Sequence, residues 1–176
     1  MRRAARRSFG AGLVAALAGL SVYAVAPAAA FVGAKTPQAC VLFTPAIATQ
    51  ALGGPVNPAV QTKPNPHMTI CKYTRSDGQA FGNVQVSDWS FLNQFGGVQQ
   101  EKKGKVPGVG DQAYDLGSFG VAVKKGSVGF IVDLNLGVGE FTGAAADQLQ
   151  AAETNANIAT AKVLVASLAG SSKKKK

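Results

Sequence analysis

Histidine is nearly missing from this chain: His67 is the only one among 176 residues. A structural zinc site takes four Cys, His or carboxylate ligands. With one histidine and two cysteines, no metal centre is expected, and no cofactor motif is visible either. Charged residues are also sparse, at 15%, which leaves few groups for acid–base chemistry. No Gly-x-Ser-x-Gly segment frames a serine, so no nucleophile elbow is legible. The carboxylates Asp111, Asp115, Asp133 and Glu140 are scattered, and nothing pairs two of them as glycoside hydrolysis requires. What stays open is a Ser/His/Asp triad built across the fold through His67.

What is abundant is concentrated at the start. Arg2, Arg3, Arg6 and Arg7 precede a run of Ala, Gly, Leu and Val over residues 11–26, and Pro27-Ala28-Ala29-Ala30 follows. A basic start, an apolar stretch and an A-x-A site are the layout of a secretory signal peptide. Residues 1–30 therefore read as a leader cleaved near Ala30, which places the mature chain in the periplasm or outside the cell. The apolar run is shorter than the roughly 20 residues of a span, which favours cleavage over the alternative of an uncleaved N-terminal anchor. Arg6-Arg7-Ser8-Phe9 is a partial twin-arginine motif, beside the ordinary Sec reading.

The leader also distorts the charge. The chain carries +9, with 18 Lys and Arg against 9 Asp and Glu. Without the four leader arginines, 14 basic residues face 9 acidic ones, a net +5. Four of those positives are the terminal Lys173, Lys174, Lys175 and Lys176, a candidate weak contact with an anionic surface. The remainder is close to neutral, so no nucleic-acid partner is expected. Lys102, Lys103 and Lys105, beside Glu101, read as a solvated loop.

Cys40 and Cys71 are the only cysteines. An oxidising compartment favours pairing them. A metal pair lacks further ligands, and a redox couple would be a close C-x-x-C.

The pattern predicts a lead-in over 31–38, one domain over 39–169 and a flexible basic tail over 170–176. Thr44-Pro45 starts a helix, Thr as cap and Pro at the first helical position. Gly53-Gly54-Pro55 ends it, and 56–66 reads as loop. Strands follow at 68–74 and 80–87, joined at Asp77-Gly78. Val84 and Val86 alternate with Asn83 and Gln85. A short helix through Phe91, Leu92 and Phe95 closes at Gly96-Gly97, and 99–105 is polar. Three more strands are expected at 112–116, 119–124 and 128–136. A long helix over 142–168 follows, with Ala145, Leu149, Ala152, Ala156, Ala159, Val163 and Ala166 as its core stripe. Asn155 and Asn157 are candidates for a break in that helix. The expected class is α+β, an antiparallel sheet of about five strands with helices on one face, in the order α-β-β-α-β-β-β-α.

Two internal features invite a function. Val106-Pro107-Gly108-Val109-Gly110-Asp111 is glycine-rich, but it lacks the strand, helix and Lys-Ser/Thr context of a phosphate loop and reads as a turn. Tyr73, Trp89, Phe91, Phe95 and Tyr114, with Phe81, are candidates to line a ligand groove.

Segments 39–45, 51–56, 71–73 and 106–114 and the Lys124-Lys125-Gly126 turn, in that order, resemble a broad group of small secreted proteins and lipoproteins of unknown function from actinobacteria and soil proteobacteria. The VPGVGDxAY segment is the longest of these matches. The resemblance implies an α+β domain in which a Cys before the first helix pairs with a Cys on the first strand. It brings no catalytic residues, and the lipid-bearing Cys of the lipoprotein members is absent. The expectation is a non-enzymatic exported binding module for an envelope protein or small ligand. A hydrolase with a hidden triad and an envelope component held by the lysine tail are the alternatives.

Overall fold

The computed structural model describes residues 38–137 and 142–172. The leader, residues 31–37 of the lead-in and Lys173 to Lys176 lie outside the described residues.

Helix α1, Ala39–Leu42, is a single turn carrying Cys40. Helix α2, Pro45–Leu52, starts as expected: Thr44 Oγ1 accepts from the Ile47 amide at 3.4 Å, and Pro45 fills the first position. It ends on Gly53 at φ 69°, a left-handed cap that a side chain would strain. Strands β1 (Val60–Asn65), β2 (Met68–Thr74) and β3 (Phe81–Asp88) follow. Then come α3 (Trp89–Phe95), α4 (Val98–Glu101), β4 (Gly104–Lys105), β5 (Gln112–Asp115), β6 (Val121–Lys125), β7 (Val128–Asn135) and α5 (Ala144–Ser172).

The class is mixed α and β around one antiparallel sheet, but the sheet has seven strands, not about five. Both additions are edge strands. Segment 56–66, expected to be a loop, holds β1, and the polar segment 99–105 holds α4 and the two-residue β4. Apolar alternation cannot reveal them, because both are almost wholly exposed. An edge strand tolerates Pro64 and Lys63 where a central strand would not.

Strand order is β1-β2-β3-β7-β6-β5-β4. β3 therefore lies beside β7, with Val84 opposite Val132 and Val86 opposite Phe130. Alternation sends Cys71, Tyr73, Val84, Val86, Val121, Val123, Phe130, Val132 and Leu134 to one face, under α1, α2 and α5. Cys40 and Cys71 are disulfide-bonded, Cα to Cα 5.0 Å, which ties α1 to the centre of β2.

The helices are not confined to that face. Helix α3 crosses the other one, where Leu92 and Val98 pack with Leu116, Ala122 and Ile131. Its approach depends on Gly129: a Cβ there would stand 2.9 Å from the Trp89 Cα and 3.0 Å from Leu92.

Helix α5 runs unbroken past Asn155 and Asn157 and continues through Gly170 to Ser172, beyond the expected end at Leu168. Its core stripe is also different. Asn157, Thr160, Ala161 and Leu164 are buried, whereas Ala145, Ala152, Ala159, Val163 and Ala166 are exposed. The cause lies in the sheet. β6 begins opposite Val132, so beyond that point β7 has no strand on that edge, while β3 continues on the other. Asn157 Oδ1 accepts from the Leu134 amide at 2.9 Å, and Glu153 Oε1 accepts from the Leu136 amide at 2.9 Å. Two polar side chains on α5 thus replace the missing strand, and the helix is turned so that they face inward. Buried amides must be paired, and that requirement outweighs an alanine stripe with little area to bury.

Candidate functional site

The expected aromatic groove is divided. Tyr73 is not part of it. It is 3% exposed, on the closed face, edge-on to Phe43 with ring centroids 5.3 Å apart. Burial raises its hydroxyl pKa. Tyr73 lies two residues from Cys71 on one strand, so both point the same way, and the bond to Cys40 fixes that direction as inward.

The other four rings form two patches. Trp89 and Tyr114 stack at 6.3 Å, and the Lys102 ammonium lies 5.8 Å from the Tyr114 centroid. Lys102 Nζ donates to Gln99 Oε1, and Gln99 Nε2 donates to Asn93 Oδ1, both at 2.8 Å. This corner is knitted together by its own contacts. The second patch joins Phe91 and Phe95 at 5.4 Å, with His67 stacked on Phe91 at 5.4 Å. Trp89 and Phe91 are two residues apart on α3, so the helix separates the two pairs. Phe95 is 68% exposed, the most exposed large apolar side chain described.

His67 sits in the turn between β1 and β2. Its carbonyl accepts from Ser87 Oγ at 2.6 Å, and its amide donates to Asn65 Oδ1. The Ser87 hydroxyl is thereby committed to a main-chain acceptor. The glycine-rich segment is a structural turn: Val109 is buried, and Asp111 accepts from Lys125 Nζ at 2.8 Å and from the Gly126 amide at 2.7 Å. Lys125 and the Gly126 amide hold the Asp111 carboxyl below its ordinary pKa. Among the described residues, no three His, Cys, Asp or Glu stand close enough to hold a metal ion. No helix among them is long and apolar enough to cross a membrane.

Phe81, a further candidate ring, and Asp133 lie on the remaining surface. Of the described helices, only α3 and the short α4 pack on the second face, where Leu92 and Val98 meet Leu116, Ala122 and Ile131, and they lie toward the end of it that carries Ser87 and Gly129. Beyond α3 the register places Lys72, Phe81, Asn83, Gln85, Asp133 and Asn135 on one open half of that face. Asn83 stands opposite Asp133, and Phe81 opposite Asn135. The Lys72 ammonium lies 4.7 Å from the Phe81 centroid. Asn83 Oδ1 and Asn135 Oδ1 are shielded from solvent and accept no hydrogen bond. An unmet buried acceptor costs about 1–3 kcal/mol. Burial first, and then the Glu153 charge, push the Asp133 carboxyl above its ordinary pKa. The alternations of Asn83 and Gln85 with Val84 and Val86, and of Asp133 and Asn135 with Val132 and Leu134, are the sequence signal for this layer. Their adjacency is not, because β3 and β7 are far apart in the chain.

Comparison with protein-family models, with curated proteins and with solved structures found no match.

Proposed function

We propose that this chain is an exported, non-enzymatic binding module whose recognition surface is the open half of its sheet together with the Phe91–Phe95 flank of α3. The observation that carries the reading is the asymmetry of the sheet. One face is sealed by three helices, whereas α3 and α4 cover one end of the other, whose remaining half carries planar polar side chains and the partly exposed Phe81 ring. Planar amides, a carboxylate and exposed rings are the groups that orient and anchor a non-covalent ligand.

Export is part of the proposal. The leader-like residues 1–30 and the resemblance to secreted domains support a periplasmic or extracellular site, and the Cys40–Cys71 disulfide fits an oxidising compartment.

The test is retention of the purified protein on isolated bacterial envelopes, compared with a Phe91→Ala/Phe95→Ala variant. Retention of the parent with loss in the variant is expected. Both rings are at least partly exposed, so the variant should keep its far-ultraviolet spectrum. Envelopes that retain neither protein would overturn the reading.

A further inference from the structure

We propose that Asn83, Asp133 and Asn135 form a binding site for a calcium ion on the outer side of β3 and β7. The site lies within the surface assigned above to recognition, but the inference does not rest on that reading. It starts from an electrostatic imbalance. Asn83 Oδ1 and Asn135 Oδ1 are shielded from solvent and have no hydrogen-bond partner, and among the described residues no other side-chain oxygen or nitrogen is left so. Both residues stand beside Asp133 on the same side of the sheet. Asp133 forms no ion pair among the described residues, and the Glu153 charge repels its carboxylate. Three oxygen-bearing groups thus gather with no positive charge bonded to any of them. Shelter from bulk water makes that shortfall matter, because charges act more strongly where the dielectric is low.

The register brings the three together. Asn83 is directly opposite Asp133, and Asn135, opposite Phe81, is diagonal to Asn83. Such neighbours are about 5 Å and about 7–8 Å apart. Asp133 and Asn135 are two residues apart on one strand, roughly 7 Å. One oxygen from each corner of that triangle can meet a single ion near its centre. All three residues are partly exposed, so an ion has a path to oxygens that bulk water does not touch.

The donors choose the ion. Amide carbonyls and carboxylates are hard ligands, which suit calcium or magnesium and not zinc or copper. The scarcity of His and Cys that argues against a zinc centre has no bearing on such a site. Magnesium demands a near-ideal octahedron, whereas calcium accepts irregular sets completed by water. Three ligands from two adjacent strands are such a set. One carboxylate and two neutral amides give a low ligand charge, which places the affinity in the range of extracellular calcium modules, about 10⁻⁴–10⁻³ M. Lys72 weakens it further. It stands opposite Asn83 on the side away from β7, with its ammonium 4.7 Å from the Phe81 centroid. The ring holds this cation off both acceptors, and its charge still repels a divalent ion.

The experiment titrates the purified protein with calcium chloride, and with magnesium chloride and sodium chloride at matched ionic strength. Calcium is expected to shift the side-chain amide resonances of Asn83 and Asn135 and to leave those of Asn65 and Asn93 in place. At ten times its dissociation constant it should raise the ratio of folded to unfolded protein about tenfold. Magnesium should act more weakly, and sodium not at all. Asp133→Asn keeps the shape and removes the charge, and should weaken calcium binding about tenfold or more. Asn83→Ala/Asn135→Ala should do the same. These amides make no hydrogen bonds through their oxygens, so an undiminished unfolding midpoint without calcium is the folding control. Lys72→Met should bind calcium more tightly, and Asp147→Asn, exposed on α5, should bind it as the parent does. No response to calcium, an equal response to sodium, or full affinity in Asp133→Asn would overturn the site, the last two marking an adventitious ion only. Weaker binding in Lys72→Met would overturn it as well. Retention on envelopes is a separate measurement: its failure would remove the binding-module reading and leave the calcium site, and failure of calcium binding would leave that reading intact.

Discussion

The two faces of the sheet are built from the same strands and carry opposite chemistry. On the closed face, Phe43, Phe130 and Leu134 are almost fully buried beneath α1, α2 and α5, and the disulfide fixes the first of these helices. On the other face α3 and α4 seal one end, around Leu92, Val98 and Ile131, and the other end carries amides, a carboxylate and Phe81, all partly exposed. Strand alternation makes the two layers independent at the level of side chains. Stability is thereby concentrated on one side, which leaves the other free to carry polar groups that a core would exclude.

The largest test of that separation compares two substitutions one residue apart in facing register. Phe130→Ala on the closed face should cost about 3–5 kcal/mol. Gln85→Ala on the open half should stay within about 0.5 kcal/mol. Denaturant unfolding measures both, and equal losses would break the comparison. Replacing both cysteines by Ala comes next. The bond spans 31 residues, so its removal should cost about 3–4 kcal/mol in the chain-entropy picture. The loss should appear as a lowered midpoint, without loss of any binding by the open half.

Asn157→Ala is a finer probe of the closed face. It strips the Leu134 amide of its acceptor, and an unsatisfied buried donor costs about 1–3 kcal/mol. Thermal unfolding gives the total. Faster amide exchange at Leu134 than at Val132 would locate the effect at the end of β7, and unchanged exchange there would count against the role assigned to Asn157.

The smallest effect belongs to pH. The Asp133 carboxyl titrates above its ordinary 3.8 in the folded protein, so the native state holds more protons than the unfolded chain in the window above that value. Stability should therefore fall as pH rises through the window, and the penalty persists at neutral pH. Asp133→Asn should remove that dependence and raise the midpoint slightly at neutral pH. Asp77 and Asp111 are shifted downward by Arg75 and Lys125 and act in the opposite direction, with stability lost as pH falls. Both are exposed, so their effect is screened. A midpoint in Asp133→Asn that still falls with pH over the same window would remove Asp133 from the account.

Much of the fold was legible residue by residue. Thr44-Pro45 and Gly53 bounded α2, Asp77-Gly78 turned the first long hairpin, and Val84 with Val86 marked the inward side of β3. The misses share one cause. β1 and β4 are edge strands held by main-chain bonds to a neighbour, and main-chain bonds leave no hydrophobic period to read. The stripe on α5 was assigned to alanines because periodicity registers apolar residues, whereas the helix is oriented by Asn157 and Glu153. Among the candidate rings, Trp89 with Tyr114 and Phe91 with Phe95 do come together in pairs, but α3 stands between the pairs and Tyr73 lies on the far side of the sheet.

By itself the sequence determined the mixed class, most of the strands, the cysteine pair and the alternation of Val84 and Val86 with Asn83 and Gln85, because these follow from local geometry and the cost of burying polar groups. Only the tertiary structure decided that β3 pairs with β7, that α3 crosses to the second face, and that α5 turns its polar residues inward. Those outcomes depend on which backbone groups are left without partners once the sheet has closed, and that is a property of strand order, which no local pattern encodes.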